Sequence, residues 1–174
     1  MPHPARSVHV CSLARMPSLV EGLRASHLMS LIREQGAVER PLSIAEENHL
    51  RLDMNDIDAP RIDLVHPNEQ HVAALIAFAQ AWHQQAPLVI HCWAGISRST
   101  AAAYVTACAL APDLEETALA RRLRAASPTA TPNRLIVALA DDALGRRGRM
   151  VDAVAAIGRG EEAMEGRPFH LVLD

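Results

Sequence analysis

Two hydrophobic periods take turns along the chain. Val8-His9-Val10-Cys11-Ser12-Leu13 and His49-Leu50-Arg51-Leu52-Asp53-Met54 alternate in polarity, and His27-Leu28-Met29-Ser30-Leu31-Ile32 is largely apolar, so three strands are predicted, the second ending near Gly36. Between the first two, Pro17-Ser18 opens a short helix that runs to about Arg24. Residues 37–47 read as a loop or a short helix. Asn55 to Asn68, with Pro60 and Pro67, is a polar loop. Val72, Leu75, Ile76, Ala79 and Trp82 then recur at helical spacing, which predicts a helix from Pro67-Asn68-Glu69 to about Gln84. Pro87 stops it and leads into an apolar strand, Leu88–His91.

The later chain is helical. Thr100–Leu110 is apolar nearly all round, so that helix is expected in the interior. Pro112-Asp113 breaks the chain and is expected to cap a helix over Leu114–Ala126. Residues 127–133 form a turn, and helices follow over Arg134 to about Leu144 and over Met150–Ile157. Phe169–Leu173 fits either a strand or a docked arm. Strands alternating with helices early and helices dominating late predict an α/β fold: a mostly parallel central sheet flanked by helices, with a helical bundle on one side. No repeat or low-complexity linker divides the 174 residues, so one domain over 1–174 is expected.

Candidate chemistry concentrates in Leu88-Val89-Ile90-His91-Cys92-Trp93-Ala94-Gly95-Ile96-Ser97-Arg98-Ser99-Thr100, a buried strand, a short loop and a helix start. In such a loop, backbone N–H groups can converge, and the first turn of a helix leaves donors unpaired at the positive end of its dipole. With a guanidinium fork at Arg98 and a thiol at Cys92, the stretch reads as a cup for an anion with a thiolate at its base. In such ligand-binding sheets the site lies beyond the carboxyl ends of the strands, where this loop falls. The plainer reading of Cys92, a small buried hydrophobe, leaves Arg98 and Gly95 without a use.

His91-Cys92-x-x-Gly95-x-x-Arg98-Ser99 resembles the H-C-x5-R-[ST] signature of the cysteine-dependent protein tyrosine phosphatases, and the length and lead-in look most like the compact dual-specificity branch. A rhodanese-like sulfurtransferase also carries a cysteine on such a loop, but with one residue fewer before the arginine. The resemblance spans about residues 8–144, leaving 145–174 as a C-terminal helix and tail that it does not cover. It implies Cys92 as nucleophile and Arg98 as the ligand of phosphoryl oxygens. It also implies that the N–H groups of Trp93, Ala94, Gly95, Ile96, Ser97 and Arg98 are donors to substrate, and that the Ser99 hydroxyl, rather than Thr100, stabilises the departing thiolate. His91 would orient the loop. Trp93 fits substrate contact or packing equally, and Asn133, after Pro132, fits either a bond to the loop from behind or an N-cap. The family's general acid is an aspartate upstream. Asp53, Asp56, Asp58 and Asp63 are candidates, Asp56 in the Asn55-Asp56 pair is preferred, and Asp58 is the alternative.

Composition narrows the field. A net charge of −3 gives no footprint for nucleic acid. All basic residues are arginine, a coding bias more than a function, and Arg121, Arg122 and Arg124, like Arg146, Arg147 and Arg149, read as solvated helix faces. Cys11, Cys92 and Cys108 are an odd set without paired spacing, which fits a reducing, cytoplasmic setting. Residues 1–6 lack a signal-peptide core, and no apolar run is long enough for membrane insertion. No histidine or cysteine pair lies at zinc spacing, so neither metal nor cofactor is expected. The expectation is a phosphomonoesterase, with a phosphorylated protein, above all at tyrosine, as substrate. A phosphoinositide, a nucleotide or another small phosphomonoester is the alternative; a phosphate-binding module without turnover is a third reading, which the joint presence of Cys92, Arg98 and Ser99 disfavours.

Overall fold

The strand that leads into Cys92 lies in the middle of a sheet. In a computed structural model describing residues 6–174, β1 (Ser7–Ser12), β2 (His27–Leu31), β3 (His49–Leu52), β4 (Leu88–Cys92) and β5 (Phe169–Val172) form one five-stranded sheet in the order β3-β2-β4-β1-β5. Residues 1–5, which carry most of the N-terminal reading above, lie outside the described residues. The β1–β4, β2–β4 and β2–β3 pairs are parallel, and β5 runs antiparallel along β1. The expected mostly parallel α/β sheet is therefore present, and the tail is a strand rather than an arm.

Each central strand is apolar on both faces because helices cover both. Val89 and Leu28 face α1 (Met16–Leu23), which buries Met16 and Val20. Leu88, Ile90, Val8, Val10 and Met29 face the larger core. That core is shared with α2 (Glu69–Ala81), α3 (Arg98–Leu110), α4 (Glu116–Ala126), α5 (Arg134–Ala143) and α6 (Arg149–Ile157). Helix α3 is buried from Arg98 through Cys108, as its all-round apolar sequence requires. Among the described residues no helix is long and apolar enough to cross a membrane.

Several element ends differ from the sequence reading. Helix α2 stops at Ala81: Trp82 turns extended (φ −63°, ψ 121°), and its indole N–H donates to the Ala86 carbonyl at 2.9 Å, so the apolar period overran the helix. Helix α4 begins at Glu116 after Glu115, because Asp113 lies in a turn closed by Leu114 N–H to the Ala111 carbonyl. The two arginine clusters are not wholly solvated. Arg124 donates to the carbonyls of Ser127, Pro128, Ala130 and Gly158, tying α4 to the turns around it. Arg146 and Arg149 grip the buried Glu116 at 2.9 and 3.1 Å.

Candidate active site

Loop 93–97 connects the end of β4 to the start of α3, and the scaffold holds it by its carbonyls. Cys92 O accepts from His91 Nδ1 (3.1 Å), Trp93 O from Leu13 N (3.2 Å) and Ala94 O from Gly166 N (2.9 Å). Ile96 O accepts from Thr131 N (2.9 Å) and Thr100 Oγ1 (2.6 Å), and Ser97 O from Asn133 N (3.2 Å) and Ala101 N (3.0 Å). No peptide bond among the described residues is cis, so each N–H points opposite to the carbonyl before it. Five carbonyls drawn outward thus turn the N–H groups of Trp93, Ala94, Gly95, Ser97 and Arg98 inward. The Gly95 N–H bears this out, donating to Cys92 Sγ at 3.3 Å. Gly95 sits at φ +73°, and a Cβ there would fall 2.7 Å from the carbonyl carbon of Cys11. Both backbone conformation and space therefore require glycine at this turn.

Sγ of Cys92 lies 3.0 Å from Ser99 Oγ, and the residue, only 2% exposed, lines a cleft of about 480 Å³. Arg98 lines the same cleft. Its Nη1 donates to the Met54 carbonyl at 2.8 Å, fixing the guanidinium to the chain just after β3. Arg98 Nε is buried without a hydrogen-bond partner. A buried charged donor left unpaired is costly, and an oxyanion in the cleft is what would satisfy it. Neither Cys11 nor Cys108 lines that cleft. Burial pushes the Cys11 thiol up to about 12, with Cys92 and Glu165 adding to the effect, and burial pushes Cys108 equally high, so both stay protonated at neutral pH.

His91 is fully buried behind the loop. Because a carbonyl can only accept, its Nδ1 carries the hydrogen given to Cys92 O. Its Nε2 then accepts from Ser30 Oγ (2.7 Å), which in turn accepts from His49 Nε2 (2.8 Å). The relay needs the His91 ring neutral, since its Nε2 accepts. Burial pushes both rings down to about 4, helped at His91 by Arg98 and Arg51 and at His49 by Arg51 and His91. In the unfolded chain both titrate near 6.5, so between pH 6.5 and 4 unfolding takes up protons and stability falls as pH falls. His49→Gln is expected to reduce that slope by about one proton, read from urea midpoints across the window. An unchanged slope would show that His49 is not held neutral.

Asp56 also lines the cleft, one carboxylate oxygen accepting from Ser97 Oγ (2.7 Å) and Asn133 Nδ2 (3.0 Å). Of the two readings of Asn133, the N-cap is present and a side-chain bond to the cysteine loop is not. Its Oδ1 caps α5 by accepting from Ile136 N, while its amide holds the Asp56 loop, and only its main chain holds the cysteine loop. The loop carrying Asp56 is closed by Asn55, whose N–H donates to Val65 O and whose side chain accepts from Val65 N. The remaining aspartates are placed elsewhere. Asp53 pairs with Arg33 at 2.6 Å, Asp63 is exposed at φ +62°, and Asp58 is exposed in a hollow with Arg61 and Arg134 that Cys92 does not line.

Trp93 is 59% exposed at the cleft, which removes the packing alternative for it. Sequence reading missed Ser30, His49, the Met54 carbonyl, the Ser97 hydroxyl and the tail residues Ala163 to Gly166. Polar residues inside β2 and β3 were the one available signal for Ser30 and His49; the tail offered none.

No family model and no curated protein matches the chain. Solved structures do. Similar ones are the Cydia pomonella PTP-2 phosphatase (17% identity, TM-score 0.61, 78% of this chain and 84% of that one) and human DUSP28 (16%, 0.61, 90% and 97%). The Yvh1 phosphatase domain from Chaetomium thermophilum is a third (19%, 0.51, 82% and 93%). The chain has the fold of these dual-specificity and tyrosine phosphatases.

Proposed function

We propose that this chain is a metal-independent phosphomonoesterase that works through a phosphocysteine, with a phosphorylated protein, foremost at tyrosine, as its substrate. The observation that carries the reading is the cysteine loop: its carbonyls are tied outward, its Gly95 N–H meets the Cys92 sulfur, and the Arg98 guanidinium that lines the same cleft keeps a buried, unpaired nitrogen. Phosphate is the anion whose chemistry uses all three.

The Cys92 thiolate attacks phosphorus, the S–P bond forms, and the P–O bond to the leaving group breaks in line with it. Asp56 gives its proton to the departing oxygen. Water then attacks the phosphocysteine, Asp56 takes a proton from it, and the S–P bond breaks to release inorganic phosphate. Ser99 Oγ, at 3.0 Å, donates to the sulfur as negative charge returns to it. The inward N–H groups and Arg98 follow the three equatorial oxygens through both steps, binding most tightly in the transition state. The depth of Cys92 favours an aryl phosphate, whose phosphorus stands farther from its backbone than that of phosphoserine.

Asp56→Ala is expected to lower kcat on phenyl phosphate, a poor leaving group, by about 10²–10⁴-fold, and far less on para-nitrophenyl phosphate. Asp58→Ala is expected to leave both rates near wild type. The opposite pattern would move the acid to Asp58.

A further inference from the structure

The C-terminal tail runs past the mouth of the cleft between α6 and β5. Gly160 N donates to Thr131 Oγ1 (3.1 Å), Glu161 N to Pro128 O (2.9 Å) and Gly166 N to Ala94 O (2.9 Å), the last on the cysteine loop itself. Glu165 accepts from Ser12 Oγ at 2.5 Å and stands 3.7 Å from Arg15 Nε. A Cβ on Gly166 would lie 2.8 Å from the Gly95 carbonyl oxygen, and one on Gly160 would lie 2.6 Å from Thr129, so at both ends the tail is seated without room to spare.

Between these anchors, Ala163 and Met164 line the cleft. Met164 is 97% exposed, and Trp93, from the cysteine loop, lines the same cleft at 59% exposure. A large apolar side chain held out into water by a pinned main chain, beside an exposed indole and over a deep anion cup, lacks a partner of its own kind. Thioether and indole both take aromatic faces well. Arg33 and Glu34 also line the cleft and bring charge, so the apolar contact comes from Trp93 and the tail.

We infer that residues 159–168 are a specificity strap in which Met164, with Trp93, clasps the aromatic leaving group of the substrate and makes the site prefer aryl to alkyl phosphates. This rests on the loop being a phosphatase site. The phosphoryl group goes down to Cys92, and the group it is leaving stays at the mouth, where the strap lies.

The test uses the full chain as wild type and Met164→Ala. The substitution is expected to lower kcat/KM for phenyl phosphate about tenfold, mainly through KM, while kcat/KM for β-glycerophosphate and inhibition by tungstate stay as in wild type. Equal losses on both substrates, or no loss on either, would overturn the strap. A binding arm separates this from failure of the phosphatase reading. Calorimetry with phenylphosphonate and methylphosphonate is expected to show wild type favouring the phenyl compound and Met164→Ala losing that preference. If wild type binds both equally, the strap fails whether or not the protein turns over. If it shows the preference but hydrolyses nothing, the strap stands and the catalytic reading fails.

Discussion

Cys92→Ser is expected to abolish hydrolysis of para-nitrophenyl phosphate, lowering kcat by more than about 10⁴-fold, while tungstate binds about as tightly as to wild type. The two outcomes separate because the site divides its labour. In the proposed mechanism affinity comes from the inward N–H groups and Arg98, of which the substitution touches only the Gly95 N–H that donates to Sγ. In the proposed mechanism chemistry comes from a thiolate nucleophile, and a serine hydroxyl is far harder to ionise than a thiol. The replacement is nearly isosteric, and Ser99 Oγ at 3.0 Å can bond the new hydroxyl, so folding should be unaffected and thermal melting unchanged. Retained turnover would show that another group is the nucleophile. Lost tungstate binding would show that the anion cup itself depends on the sulfur.

Arg98→Lys keeps the charge and is nevertheless expected to cost about 10²–10³-fold in kcat/KM, with weaker tungstate binding. The guanidinium does two things at once. Nη1 fastens it to the Met54 carbonyl, and Nε is left buried and unpaired. A lysine ammonium is a single point that cannot hold the carbonyl and present a planar fork to two phosphoryl oxygens. If lysine supports wild-type kcat/KM, then the contribution of Arg98 is net charge alone, and the geometric argument for it fails.

Much of this arrangement was legible before any coordinates. Local order wrote the strand, the loop and the helix around Cys92 into consecutive residues, so spacing alone placed Cys92, Gly95, Arg98 and Ser99 together. Asp56 was harder, because a loop aspartate is positioned by what grips it from elsewhere. Here the grip is Ser97 and Asn133, distant in the chain. The Met54 carbonyl could not be read at all, since main-chain acceptors carry no residue signature. Serine 30 and histidine 49 looked like ordinary polar positions in alternating strands, yet Ser30 bonds His91 behind the loop and His49 bonds Ser30. The tail was the largest gap. Its anchors are backbone N–H groups and close-packed glycines, and its cleft residue is a methionine that no periodicity distinguishes from core. Helix ends slipped where an apolar residue left the helix but stayed buried, as Trp82 does.

The central claim is a covalent one, and the most direct measurement is to catch the intermediate. Wild-type protein mixed with excess para-nitrophenyl phosphate, quenched in acid within the first turnovers and digested, is expected to carry one phosphoryl group on the peptide containing Cys92, absent from Cys92→Ser. Turnover with that peptide unmodified, or with the phosphoryl group on another residue, would contradict the account.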